Sequence, residues 1–247
     1  MRKPRHRDQP LSVLDLQLEV NDADPDRPVV RVLVNGNEPF EDVVPGWRGF
    51  DPDAVLGETS PLLPVDGGRR VAVSRCSCTF GGCGVVAPLV VPSRDGRRVS
   101  WVDPRDWTDV FDEPLGTPAD DDEGLPWPIP DLHFDRAQYV AEIRRASRDR
   151  SWETPRRRTA RRLRERLEAA SAHLLPPDLR LDSVGPGWRE PGFVLTFART
   201  DGGGDYRYEL LVLTSAHDDP ERASEDMAHQ LLAVDPADRV QAFGRPL

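Results

Sequence analysis

An α+β fold follows from three features of this 247-residue chain. Its first hundred or so residues alternate apolar and polar side chains between clusters of Asp, Asn, Gly and Pro, the pattern of an antiparallel β-meander. Apolar residues at helical spacing are confined to three later stretches. A proline-rich acidic run, residues 112–131, separates the two regimes and cannot enter a helix or a sheet interior. The expected organisation is a disordered basic arm over residues 1–10, then an antiparallel β domain over 11–111 that carries a cysteine cluster. An acidic linker over 112–131 joins it to an α+β domain over 132–247, where a helix pair packs with a three-stranded antiparallel sheet and a C-terminal helix.

Residues 11–20 and 28–34 read as a hairpin that ends in turn chemistry at Asn35, Gly36 and Asn37. Residues 39–68 lack periodicity and read as surface wrapping, anchored by Trp47, Phe50, Leu56, Leu62 and Leu63. Two runs, 69–75 and 84–91, are rich in β-branched residues and flank the cysteine window. A turn at Ser93–Gly96 leads to a further strand over 97–102. Asp135 and Gln138 have capping-box spacing and open a helix to about residue 148, with Tyr139, Val140, Ile143 and Ala146 on one face. Thr154 and Pro155 read as the start of a second helix, with a stripe of Ala160, Leu163, Leu167, Ala170 and Leu174. Its arginines, Arg161 among them, fall off that stripe and are expected to face solvent or the acidic linker. Strands over 179–184, 192–198 and 206–213 follow, the last two joined by a Gly-rich turn at 201–205. Asp219 and Pro220 then start a helix to about 232.

Cys76, Cys78 and Cys83 are the whole thiol content and fall within eight residues. In a hairpin turning on residues 79–82, Cys78 stands opposite Cys83 and Cys76 opposite Val85, so all three sulfurs share one face. Three chemistries fit. The thiolates could hold zinc, with His133 as the nearest downstream fourth donor for a tetrahedral site. Cys78 and Cys83 could form a disulfide. All three could be small apolar thiols packed in a core.

A net charge of −10 argues against general affinity for nucleic acid or anionic membranes. The charge is uneven: residues 103–135 hold eleven acids and one arginine, and residues 136–168 hold twelve arginines and five acids. No apolar stretch is long enough to cross a bilayer, and no signal-peptide hydrophobic region follows the basic start, so a cytoplasmic protein is expected. Gly202–Gly204 lacks the lysine and following helix of a phosphate loop. No nucleophile elbow or zinc-protease motif is present. The tetrapeptide Pro-Gly-Trp-Arg occurs at 45–48 and again at 186–189 and reads as a recurrent turn.

Cys76, Cys78, Gly82 and Cys83, followed by a strand holding Trp101 and Asp103, resemble a group of uncharacterised actinobacterial proteins. In that group a Cys-x-Cys-Gly-x-x-Gly-Cys window precedes a strand ending in Trp-x-Asp. Thr79 stands where that pattern has a glycine. Gln138, Tyr139, Ser151, Trp152 and Glu153 also fit, so the resemblance spans about residues 60–170; it implies no function. The functional expectation is a non-enzymatic binding or accessory protein with a structural thiol cluster, and a protein is one possible partner. The alternatives are a thiol- or metal-dependent enzyme sited at the cysteines, or nucleic-acid binding through the arginine-rich helices.

Overall fold

The computed structural model describes residues 10–77, 84–106, 124–170, 179–188, 191–200 and 206–244. They form an α+β protein of two compact units, residues 1–152 and 153–247. The expected 201–205 turn, Leu174, and residues 112–123 of the expected linker lie outside the described residues.

In the first unit, β1 (Leu14–Asn21) and β2 (Asp24–Val34) make the expected hairpin, pairing from Leu14↔Val34 to Asn21↔Asp24. Their inward residues Leu14, Leu16, Val30 and Val34 enter the main core. One short helix, α1 (Pro52–Val55), interrupts the wrapping segment. Its anchors behave as expected: Phe50 and Leu62 are fully buried, while Trp47, Leu56 and Leu63 pack against the core. Ser60 fixes the segment by donating to Val55 O at 2.6 Å, and Arg69 donates to the carbonyls of Ser60 and Leu63.

The main sheet has β5 (Val85–Pro92) and β6 (Arg98–Asp106) at its centre. β3 (Arg69–Arg70) and β4 (Ser74–Arg75) pair in succession along β5. β7 (Leu125–Pro126) and β8 (Leu132–Asp135) pair in succession along β6. Both interruptions fall at one line across the sheet. Pro88 has no N–H to give, and the β5–β6 register shifts between Ala87 and Leu89. Opposite, Asp103 takes a left-handed φ of 47°, uncommon for a residue with a side chain. Arg70 staples the fold line, donating to Ala87 O at 3.0 Å and to the Asp103 carboxylate at 2.7 Å, where Arg105 also donates at 2.9 Å. β6 therefore runs past Asp103 rather than ending there.

The expected domain boundary differs from the one the contacts make. Leu132–Asp135, assigned from sequence to the start of the second domain, is a strand of the main sheet whose Phe134 is fully buried. Helix α2 (Arg136–Arg148) follows it and packs in the first unit, so the units divide at Trp152 and Glu153. Asp135 caps α2 as expected, accepting from the Gln138 N–H at 3.0 Å. The Gln138 side chain does something else: its amide accepts from Leu14 N–H at 3.2 Å and donates to Leu14 O at 2.7 Å. One turn on, Glu142 accepts from Leu16 N–H at 2.8 Å, and Arg145 donates to Leu16 O at 2.6 Å. Three side chains on one helix face thus satisfy the edge of β1 as a neighbouring strand would, closing an otherwise free edge.

Burial pushes the Glu142 carboxyl up, but hydrogen bonds from Arg145 and Leu16 N–H outweigh it and hold the group below the usual carboxylate range. A depressed folded value means stabilisation that is present above the unfolded value and lost as pH falls through the folded one. Glu142→Ala should cost about 1–3 kcal/mol, because it leaves a half-buried N–H without its acceptor. It should also remove part of the acid sensitivity of the first unit. Urea unfolding of parent and variant at neutral and acidic pH measures both, and an unchanged difference between the two pH values would rule out the carboxylate as the titrating group.

In the second unit, β9 (Leu179–Pro186), β10 (Phe193–Thr200) and β11 (Tyr206–Leu213) form an antiparallel sheet in the order β11-β10-β9. α3 (Pro155–Ala170) and α4 (Pro220–Leu232) pack on it, and α5 (Arg239–Phe243) follows a short 3-10 turn. Ala160, Leu163 and Leu167 meet Leu195, Phe197, Leu211 and Met227 in one core, as the stripe on α3 requires. The helix pair on this sheet is α3 with α4, not α2 with α3 as the sequence suggested. Among the described residues, no helix is long and apolar enough to cross a membrane.

Candidate functional site

Cys76 is the one described member of the thiol window; Cys78 and Cys83, and hence the convergence of the three sulfurs, lie outside the described residues. Cys76 is half-buried at the end of β4, and its N–H donates to Gly84 O at 3.2 Å. With Arg75 opposite Val85, Cys76 stands opposite Gly84 rather than Val85 as expected. The register is one residue off the symmetric hairpin, and such a shift exchanges the faces of a strand.

His133 does not join Cys76. It is a buried residue of β8, 4% exposed, whose Nδ1 lies 2.8 Å from Ser100 Oγ. Ser100 pairs with Val91 in β5, whereas Cys76 pairs at Gly84, at the opposite end of that strand. Seven residues of strand separate the two levels, on the order of 20 Å at ~3.3 Å per residue. Zinc ligands sit at about 2.0–2.3 Å from the metal. Among the described residues no group of three or more His, Cys, Asp or Glu side chains could hold a metal ion.

The base of the cysteine window is nevertheless a built place. Val85 N–H donates to Asp106 Oδ1 at 2.8 Å, and Trp127 Nε1 donates to Val85 O at 2.9 Å. Trp127 meets Trp47 edge to face with centroids 5.7 Å apart. A methyl group at Gly84 would come within 2.9 Å of the Trp47 ring and 2.5 Å of the Asp106 carboxylate, so glycine lets these groups close in. Residue 48 is bonded to the cysteine strand in both directions: Arg48 N–H donates to Arg75 O at 2.9 Å, and Arg75 N–H to Arg48 O at 2.8 Å.

Beside this bridge lies an open groove of about 470 Å³. Its walls are the far end of the β1–β2 hairpin, the 38–49 segment, and Val73 and Ser74 just before Cys76. Phe40 and Val44 are buried in it and Trp47 half-buried. The wall is fixed to β2 by Val30 N–H, which donates to Phe50 O at 2.8 Å. Gly49 is needed for that approach, since a Cβ there would lie 1.6 Å from Val30 O. Charged groups line the rim: Glu19, Arg27, Arg31, Glu38, Glu41 and Arg48. Sequence reasoning passed over this groove. The signal present was the Pro-Gly-Trp-Arg turn at 45–48, which supplies Trp47 and Arg48. In its second occurrence Trp188 is exposed, so the tetrapeptide alone does not mark a site.

The arginines of α3 are engaged within their own unit. Arg161 grips Glu153 and Glu165, Arg162 pairs with Glu165 and Glu221, Arg164 with Glu168, and Arg166 with Glu221. Among the described residues their partners are carboxylates on and around the helices, so these arginines do not simply face solvent. An arginine already paired with a carboxylate offers less to a phosphate backbone, so this helix gives little support to nucleic-acid binding.

No family model matches the chain. No curated protein and no solved structure matches it either.

Proposed function

We propose that the chain is a non-enzymatic cytoplasmic binding protein and that the groove beside the cysteine window is its ligand seat. The groove itself carries this reading. Its volume, about 470 Å³, lies inside the ~300–1,000 Å³ range of small-molecule sites. It combines an apolar floor with a charged rim, and its walls are held by backbone hydrogen bonds rather than by side chains alone.

Amide NMR of the whole chain against mixtures of small fragments tests the reading. Binding shifts should concentrate on residues 27–49 and on Val73 and Ser74. Shifts centred elsewhere, for example on the Val91–Val102 face of the main sheet, would move the site.

In the same proposal the thiols have a structural role, with zinc on Cys76, Cys78 and Cys83 bracing the strand that carries Ser74 into the groove wall. The fourth donor must then be a group other than His133. Metal analysis of the whole chain purified without a histidine tag should find zinc, and less of it in Cys76→Ser, with a lower melting temperature. His133→Ala should leave the zinc content unchanged, and a loss there would restore His133 as a ligand.

A further inference from the structure

Building on the groove as the ligand seat, we infer that its ligand carries an oxyanion on an apolar body and that Arg48 anchors the oxyanion. The other charges on the rim, the exposed Glu19 apart, have partners in the chain. Arg31 is ion-paired with Glu38, Arg27 lies 3.4 Å from Asp24, and Glu41 accepts the Gly46 N–H at 3.3 Å. Arg48 has no carboxylate or carbonyl on its guanidinium among the described residues, and its Nε is shut off from solvent with no acceptor.

A cationic donor in that condition has lost water without gaining a partner, which is unfavourable in the empty protein. The frame imposes it. The Arg48 backbone is tied to Arg75 on both sides, and its neighbour Gly49 is pressed against Val30 O, so the residue cannot swing out as a unit. The closed Nε is out of reach of a ligand as it is of water, but the Nη end of the fork is not shut off in this way. There a carboxylate or phosphate entering the groove gives Arg48 the partner the chain does not supply, and the planar guanidinium suits either one. Glu19 lines the same groove but is exposed, and solvent screens an exposed carboxylate, so it does not stand in for the ligand. The apolar body is called for by Phe40, Val44 and Trp47, next to the anchor.

Calorimetric titration of the whole chain with three matched probes tests this. They are 4-phenylbutyrate, the neutral 4-phenylbutyramide of the same shape, and 3-phenylpropylphosphonate. At least one anion should bind tenfold or more tightly than the amide, and the stronger of the two identifies carboxylate or phosphate as the natural group. Arg48→Gln should erase the preference and leave amide affinity within about twofold, while Arg48→Lys, which keeps the charge without the fork, should fall between. Equal affinity of parent protein for acid, phosphonate and amide overturns the anchor while the groove stands as a binding site. If none of the three binds and no amide shifts appear over residues 27–49, the groove reading fails and the anchor with it. The comparison of probes on the parent protein needs no variant, so a poorly folding Arg48→Gln does not decide the outcome.

Discussion

Arg161→Glu is expected to destabilise the second unit by about 3–5 kcal/mol, the cost of breaking a buried ion pair from one side. Glu153 lies just before α3, and its side chain is 3% exposed. Arg161, two turns along the helix and 26% exposed, donates to both of its oxygens, at 2.7 and 3.1 Å. A third bond, from Nη1 to Glu165 at 2.8 Å, completes the use of the fork. Hydrogen bonds donated to Glu153 raise the already high Arg161 value, opposed by burial, so the guanidinium stays charged at any working pH. Reversal removes both of these bonds to Glu153, leaves the more exposed Arg158 beside it at 3.3 Å, and sets a second carboxylate against it. Arg164→Glu is the matched control: Arg164 and Glu168 are both about half exposed, and such pairs contribute about 0–1 kcal/mol. Arg161→Lys keeps the charge but loses the fork and should fall between the two. Urea unfolding followed by hydrogen exchange of the α3 amides reads the second unit separately. A loss in Arg161→Glu no larger than in Arg164→Glu would refute the buried-pair account.

That result marks where sequence reasoning stops. The apolar stripe on α3 places Leu163 and Leu167 inside correctly, because helical period depends on local geometry alone. The same period puts Arg161 outside, and here it misleads. Whether an off-stripe arginine meets water or a buried carboxylate depends on where the chain before the helix runs, and that is set by tertiary packing. The main sheet follows the same rule. The β1–β2 hairpin and the strands around the cysteine window are visible in alternation and turn residues. β8 is not, because four residues between prolines and a helix cap are too few to show a period. Missing β8 moved α2 into the wrong unit and let His133 be taken as a fourth donor for the cysteines, whereas the sheet holds His133 and Cys76 at opposite ends of β5. The groove was hidden for a third reason. Its parts come from residues 19–49 and 73–74, and one of its fixed points is a glycine whose need is visible only when Val30 O lies against it.

Trp101→Ala should cost the first unit about 3–5 kcal/mol, the upper range for deleting a buried aromatic side chain. Trp101 is 1% exposed and meets Phe134 and Tyr139 with ring centroids 5.4 and 6.3 Å away. These rings come from β6, β8 and α2, so one cavity loosens three elements at once. Polarity adds to the cost. Trp101 Nε1 donates to Tyr139 Oη at 2.9 Å, and Tyr139 Oη donates to Leu62 O at 2.9 Å, all of it buried. The phenol therefore joins a strand donor to a carbonyl of the wrapping segment, and burial pushes its own ionisation well above the usual tyrosine range. Tyr139→Phe keeps the ring but strands a buried N–H and a buried carbonyl, each worth about 1–3 kcal/mol when left unmade. Trp101→Phe removes the N–H donor and much of the ring contact but leaves the bond to Leu62. If the three groups form one relay, the double variant should lose less than the sum of the single variants, because the Trp101–Tyr139 bond can be lost only once. Urea unfolding of the two single variants and the double variant gives the coupling. Additivity within about 0.3–0.5 kcal/mol, the level found for independent sites, would mean that the two residues stabilise the core separately and that the relay contributes nothing as a unit.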